Sequence, residues 1–318
     1  MEAVLLAGGF GTRLRPLTYT HPKPLLPVGG RAMLEWVLDR LPEEVTKVIV
    51  AVNWQAEALE AYFAASDRDL EFAVVRESEP LGTAGAVKNC EAHLTSDQFF
   101  VLNADIISDM DLEGMVRMHR AKEAHCTIAL KEVPEAEVVN YGVIQPDPKD
   151  PDRVVGFVEK PKDPSLAPSR LINAGAYLLN RSVLELIAPD TMVSMEKEIF
   201  PQLLEPGFYG VPFSGYWMDV GTPERLLEAS AHLSTAWHGP GATIEGTVRN
   251  SAAGANLHVA TGVTVEDCVI GDNVRIEANV RNCVIGDGET VTAATENLRV
   301  WTKQLPAGYP DKQVGNAL

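Results

Sequence analysis

Up to about residue 230, short apolar runs rich in Val and Ile alternate with helical patterns, as expected of parallel strands joined by crossover helices. Ala3 to Ala7, Lys47 to Val52, Leu70 to Val75 and Phe99 to Leu102 read as strands. Between them, Met33, Leu34, Val37, Leu38 and Leu41 share one helical face. Asn53 is placed to cap a helix running through Glu57 to Ala64, and Gly82 or Thr83 to start another toward Glu91. Further on, Cys126 to Glu132, Tyr141 to Gln145, Val154 to Glu159 and Ala174 to Leu179 are strand-like with Pro-rich joints. This pattern predicts an inserted, partly antiparallel lobe beside the parallel sheet. Helices over Glu196 to Leu204 and Pro223 to Leu233 would close the region, with Thr222 as the N-cap of the second.

After about His238 the helical period disappears. Cys268-Val269-Ile270-Gly271-Asp272 returns 15 residues later as Cys283-Val284-Ile285-Gly286-Asp287. Such short-period recurrence predicts stacked β-helix coils of hexapeptide-like units, with Val259, Val263, Ile270, Ile276 and Ile285 facing the coil interior. The expected fold is therefore α/β: a Rossmann-like open mixed sheet flanked by helices, followed by a short left-handed β-helix. The corresponding boundaries are 1–237 for the first domain, 238–300 for the repeats and 301–318 for a tail, in which Leu305 to Leu318 read as poorly ordered.

Charge and cysteine usage narrow the setting. The net charge of -17 disfavours nucleic acid or an anionic membrane as partner, so a polyanionic ligand would have to be held by local cations. The four cysteines form no C-x-x-C and no zinc spacing with histidine, which suggests buried thiols in a reducing compartment. No apolar run approaches the roughly 20 residues needed to cross a bilayer, and the chain opens without a basic n-region. These features suggest a cytoplasmic protein.

The cations that do occur cluster early. The first strand leads into Gly8, Gly9 and Gly11, a turn whose backbone N–H groups can approach a phosphate without side-chain obstruction. It is not the dinucleotide fingerprint, because Leu14 stands where G-x-G-x-x-G needs glycine, and it is not a P-loop. Arg13, Arg15 and Lys23 follow within one short segment.

Gly8-Gly9-Phe10-Gly11-Thr12-Arg13-Leu14, with Pro16, Lys23 and Pro24-Leu25-Leu26-Pro27-Val28, resembles the nucleotide-sugar pyrophosphorylases, or sugar-1-phosphate nucleotidyltransferases, over most of residues 1–230. The resemblance implies that Leu6, Ala7, Gly8, Gly9, Gly11 and Thr12 bind a nucleoside triphosphate together with Arg13 and Lys23. Arg15 matches a variable position and reads as a solvated surface cation. Glu79-Pro80-Leu81-Gly82-Thr83-Ala84-Gly85-Ala86 resembles the segment that reads the base, adding Gly82 and Thr83 to the nucleotide site. Asn103-Ala104-Asp105 ends a predicted strand, with Asn103 at the nucleotide and Asp105 as a metal carboxylate; Ala104 replaces the family's usual glycine. Glu159-Lys160-Pro161 resembles the motif that holds the sugar 1-phosphate, Tyr141, Gly142 and Asn173 match the sugar pocket, and Trp217-Met218-Asp219-Val220-Gly221-Thr222 supplies a second metal carboxylate, Asp219.

The implied reaction joins a nucleoside triphosphate to a sugar 1-phosphate and releases pyrophosphate. Arg13, Lys23, Asp105 and Lys160 are the catalytic residues and Mg²⁺, on Asp105 and Asp219, the cofactor. The phosphate nucleophile is already ionised near neutrality, so positioning and charge neutralisation suffice. Pro80 to Gly85 together with the repeats resembles most the mannose-1-phosphate guanylyltransferase branch, which implies GTP and mannose 1-phosphate. A glucose-1-phosphate thymidylyl- or uridylyltransferase, and a non-catalytic sugar-nucleotide-binding subunit, are the alternatives. The repeats suggest homo-oligomerisation; an acyltransferase role is disfavoured because His258 is their only histidine.

Overall fold

The computed structural model describes residues 1–204, 207–233, 237–306 and 309. The chain forms two compact units: Met1–Gly9 with Val37–Trp217, and Phe10–Trp36 with Met218–Leu318.

The first unit is built on a nine-stranded sheet. Its strands are β1 (Glu2–Leu6), β2 (Lys47–Val52), β3 (Glu71–Arg76), β4 (Gln98–Asn103), β5 (Cys126–Glu132), β6 (Gly142–Pro146), β7 (Val154–Glu159), β8 (Leu171–Asn180) and β9 (Phe208–Phe213). The main path runs β7-β6-β8-β4-β1-β2-β3, and β5 pairs with both β8 and β9. β4, β1, β2 and β3 are parallel, while β8 lies antiparallel to β4. The expected separate antiparallel lobe is thus corrected: β6, β7 and β8 extend the same sheet, because β8 pairs with β4 along Ala176 to Asn180. Val4, Ile49, Phe99, Val101, Ile128 and Tyr177 are buried in its core, as expected for strands covered on both faces.

Asn53 does not cap the following helix. That helix, Ala56–Ala64, begins after Gln55, which is left-handed and makes no side-chain cap. The Thr222 expectation holds, since its hydroxyl accepts from Arg225 N at 3.4 Å ahead of the helix Pro223–Leu233. The chain from Met195 to Ile199 is a π-helical turn before the short α-helix Phe200–Leu203.

In the second unit the repeats form three parallel sheets of four strands each, the architecture of a left-handed β-helix. Val269–Ile270 pairs in register with Val284–Ile285, so the recurring sequence motif stacks upon itself. Val259, Val263, Ile270, Ile276 and Ile285 are all buried in the coil interior as expected, with Cys268 and Cys283 beside them. All four cysteines are free and buried. At the start of the tail, Thr302 donates its N–H and hydroxyl to Glu289, at 2.9 and 2.8 Å; of the stretch expected to be poorly ordered, residues 307, 308 and 310–318 lie outside the described residues. Among the described residues no helix is long and apolar enough to cross a membrane.

The register of β1 is anchored at its start. Burial alone would raise the Glu2 carboxyl, but bonds from Thr95 and Ser96, hydroxyls and backbone N–H groups together, outweigh it and hold the pKa at about 2 instead of 4.5. This depressed pKa contributes stability that is complete above 4.5 and lost as pH falls toward about 2. Denaturant unfolding of Glu2→Gln should show lower stability than the native chain at pH 7 and a shallower loss between pH 4.5 and 2; equal acid slopes would contradict the anchor.

Candidate active site

Parallel pairing of β4, β1, β2 and β3 brings their carboxyl ends to one edge of the sheet, the place where open α/β sheets bind ligands. A cavity of about 330 Å³ opens there. Leu6, Gly8 and Gly9 line it from the end of β1, Asn53 from the end of β2, Glu77 from the end of β3, and Asn103 and Asp105 from the end of β4. Pro80, Gly82, Thr83 and Ala86 complete the wall from the helix Gly82–Asn89. Leu6, Gly8, Gly9, Gly82, Thr83, Asn103 and Asp105 are therefore brought together. Ala7 is not part of the lining; its N–H is tied to Ala51 O at 2.9 Å. Ala104 is buried and has no positive φ, so it occupies the position usual for glycine without backbone strain.

Glu77 is the buried anion of this cavity, with 8% of its surface exposed. Its Oε2 accepts from Leu81 N at 3.0 Å. Burial raises its pKa above 4.5, and the bond from Leu81 only partly offsets the rise. Thr83 turns its hydroxyl to Glu196, donating at 2.7 Å and accepting from Met195 N at 2.8 Å. The π-helical turn thus supports the cavity wall.

The expected sugar-phosphate residues stand on the neighbouring part of the same sheet. Glu159 pairs with Gly142 across β7 and β6, and Lys160 N donates to Tyr141 O at 3.1 Å. Lys160 has φ of 45°, a left-handed conformation unusual for a side-chain-bearing residue and one often held in place at functional sites. Asn173 is oriented at both ends of its amide: Nδ2 donates to the Tyr177 hydroxyl at 2.7 Å, and Oδ1 accepts from Gly175 N at 2.8 Å. Tyr141 packs edge-on against Trp217, with ring centroids 5.3 Å apart. Burial, and then the charge of Glu196, raise the pKa of Glu159.

The remaining predicted residues belong to the second unit. Gly11 has φ of 58°, and a Cβ there would fall 2.7 Å from Thr18 Cγ2, so the turn requires glycine. Its carbonyl accepts from Leu14 N and from the Thr18 hydroxyl, at 2.9 and 3.0 Å. Thr12 and Arg13 are exposed on the 3₁₀ turn that follows, while Lys23, at the start of a later one, is buried. Arg13 lies against Gly221: a Cβ there would meet Arg13 Nη2 at 2.5 Å and Asp219 Oδ1 at 3.3 Å. Asp219 also pairs with Arg225, Oδ2 to Nη1 at 3.6 Å. Arg15 departs from the sequence expectation of a solvated cation. Only 8% of it is exposed, with its guanidinium 5.7 Å from the Tyr19 ring centre and 5.4 Å from that of Tyr309. One of these aromatic faces, Tyr309, comes from a distant sequence position.

Sequence reasoning overlooked Asn53, Glu77 and Glu196. Local pattern assigns Asn53 to a helix cap; Glu77 is a carboxylate in a polar segment that only its burial separates from surface acids, and Glu196 is half-buried and set apart by its bonds from Thr83 and Ser194. The position of Glu77 immediately after a predicted strand was the available signal.

Comparison with known proteins places these features in a wider group. The sequence model of the family described as "Nucleotidyl transferase" matches residues 2–236. A mannose-1-phosphate guanylyltransferase from Mycobacterium tuberculosis is 36% identical over 303 residues, covering 87% of this chain and 82% of that protein. A mannose-1-phosphate guanyltransferase from Emericella nidulans is 39% identical over 244 residues, 74% of this chain and 65% of that protein. A solved structure of UDP-glucose pyrophosphorylase complexed with UDP-glucose shares the fold, with a TM-score of 0.65 at 24% identity, covering 73% of this chain and 97% of that one.

The raised pKa of Glu77 means that ionising it costs stability; the cost is absent below 4.5 and grows as pH rises through the folded-state value. Glu77→Gln keeps an acceptor for Leu81 N and should melt higher than the native chain at pH 8, with the difference vanishing near pH 4. An equal or lower melting temperature at pH 8 would contradict the burial argument.

Proposed function

The chain belongs to the nucleotidyl transferase family, and from that premise we propose that it condenses GTP with mannose 1-phosphate to give GDP-mannose and pyrophosphate. The observation that carries the choice of base is the Glu77 carboxylate in the wall of the cavity. Guanine presents a ring N–H and an exocyclic amino group side by side, two donors matched to a carboxylate, whereas uracil and thymine present a single ring N–H. The relatives named above, both mannose-1-phosphate guanylyltransferases, agree with this reading.

A phosphate oxygen of the sugar 1-phosphate attacks the α-phosphorus of the nucleotide in line. The new phosphorus–oxygen bond forms as the bond to the bridging oxygen breaks, and that electron pair leaves with pyrophosphate. The nucleophile carries its own negative charge, so no general base is required. Gly8, Gly9, Gly11 and Thr12 offer backbone N–H donors to the triphosphate. Arg13 takes the departing pyrophosphate as a planar fork, while Lys23 neutralises the α-phosphate as a point charge. Lys160 holds the phosphate of the second substrate, and Tyr141, Gly142, Glu159 and Asn173 bind its sugar. Asn173 is fixed at both ends of its amide, so it can present hydroxyl recognition without first losing rotamer freedom.

Members of this family generally use a divalent metal, and the donor set here suits Mg²⁺. Asp105 offers a carboxylate to the cavity, and among the described residues no cluster of three or more His, Cys, Asp or Glu forms a cage. Mg²⁺ characteristically takes one or two carboxylates and completes its shell with waters and phosphates. Asp105 and Asp219 are assigned as those carboxylates. Held there, the ion would supply positive charge to offset the charge that builds on the phosphates.

The free, buried cysteines support a cytoplasmic setting. The proposal also includes self-association through the repeats, to be read from the molecular mass in solution.

Asp105→Asn and Asp219→Asn should each lower Mg²⁺-dependent pyrophosphate release by about 100-fold or more while the circular dichroism spectrum is unchanged. Undiminished turnover in either would remove that ligand. Glu77→Gln should cost about 10- to 100-fold in kcat/KM for GTP, the worth of a charge-assisted hydrogen bond. An unchanged kcat/KM for GTP would reject the base assignment.

A further inference from the structure

The Ile-Gly-Asp recurrence of the repeats has no part in the proposed chemistry, yet both of its aspartates point beyond the coil. Each spends one oxygen on the preceding coil: Asp272 Oδ1 accepts from Ala255 N at 2.7 Å, and Asp287 Oδ1 accepts from Asp272 N at 2.8 Å. The second oxygen of each reaches His21. Nε2 of His21 lies 2.8 Å from Asp287 Oδ2 and 3.5 Å from Asp272 Oδ2. His21 stands two residues before Lys23, in the segment that also carries Arg13. The stacking of identical motifs therefore creates a pair of adjacent carboxylates that a single imidazolium can span.

We propose that His21, Asp272 and Asp287 are positioning residues for the phosphate-binding loop, and that the repeats serve the reaction by holding Arg13 and Lys23 in place. The proposal rests on the assignment of Arg13 and Lys23 to the triphosphate. Other contacts flank the same junction. Arg299 donates to Arg15 O, Tyr19 packs on Trp301 with ring centroids 5.4 Å apart, and Arg15 lies over the ring of Tyr309. Lys303 Nζ donates to the Asp287 carbonyl. The loop has only short 3₁₀ turns of its own, at Thr12–Leu14, Leu17–Tyr19 and Lys23–Leu25. Such turns are weakly cooperative, so an outside anchor decides how tightly the cations are held.

The charged groups at the junction fix a direction with pH. Burial disfavours the protonated form of His21, but the bond and charge of Asp287 and the charge of Asp272 outweigh it, and its pKa lies above 6.5. Burial likewise opposes ionisation of Asp287, yet His21, Thr20 and the Asp272 N–H outweigh it and its pKa lies below 3.8. Lys303, Arg15 and Arg299 are the other charged groups at the junction. Docking supported by His21 is therefore complete below pH 6.5 and declines as pH rises through the raised value.

The test is amide hydrogen exchange of the full chain across residues 10–28, with the KM for GTP measured in parallel. His21→Gln, and separately Asp272→Asn with Asp287→Asn, should speed exchange in residues 10–28 by about tenfold, the scale of one charge-assisted bond. Exchange within the coils should stay unchanged in His21→Gln, and the KM for GTP should rise more than kcat falls. His21→Lys, a permanent cation, should restore protection and remove its decline above pH 6.5. Unaltered loop exchange in His21→Gln, or a native pH decline that persists in His21→Lys, would overturn the proposal. Exchange is read without substrate, so a chain that proved inactive with GTP would refute the catalytic reading while leaving the clamp to be judged on protection alone.

Discussion

Two phosphate-bearing substrates repel each other, and a chain of net charge -17 adds to that repulsion unless positive charge is concentrated where they meet. This constraint organises the structure. Backbone N–H groups after β1 carry no formal charge and need no counterion, so glycines there supply attraction without adding to the charge balance. Arg13 and Lys23 follow within the same segment, and Lys160 is supplied by another part of the chain. In the proposed reaction, Asp105 and Asp219 are the carboxylates that would hold a divalent cation. Glu77 and Glu159, the carboxyl groups proposed to face the base and the sugar, both have pKa values raised by burial first.

The same constraint gives the repeats a role. A loop of short 3₁₀ turns, carrying the two cations proposed to bind phosphate, gains little from its own hydrogen bonds. The β-helix is rigid through parallel pairing along three faces and an apolar interior. Its aspartates hold the coils together with one oxygen and leave the other for His21. Arg15 enters the same junction through aromatic faces, which accept a cation without neutralising it. Its conspicuous place in the opening turn therefore fits anchoring of the loop, whereas Arg13 is exposed, as its proposed contact with pyrophosphate requires.

The strands of the parallel half, the coil interior and the glycine turn were legible because each rests on local pattern: Val and Ile runs, a fixed recurrence, and residues that permit one backbone path. The fate of β6 to β8 was not legible, because Pro-rich joints look the same whether strands form a lobe or extend an existing sheet. Pairing of Ala176 with Leu102 decides that, and it links residues far apart in sequence. Asn53 obeyed a local rule for helix caps and lost to tertiary context at the cavity. Glu77 and Arg15 were hidden for one reason. Burial converts an ordinary surface charge into a specific group, and burial is a property of the whole fold. His21 was invisible as well, since its meaning depends on two aspartates more than 250 positions away.

The central claim is tested most directly by pyrophosphate release from the native protein across a matrix of GTP, ATP, UTP and dTTP against mannose 1-phosphate and glucose 1-phosphate, with and without Mg²⁺. The account predicts Mg²⁺-dependent release with the highest kcat/KM for GTP with mannose 1-phosphate. Faster release from UTP or dTTP with glucose 1-phosphate, or no release from any pair, would contradict it.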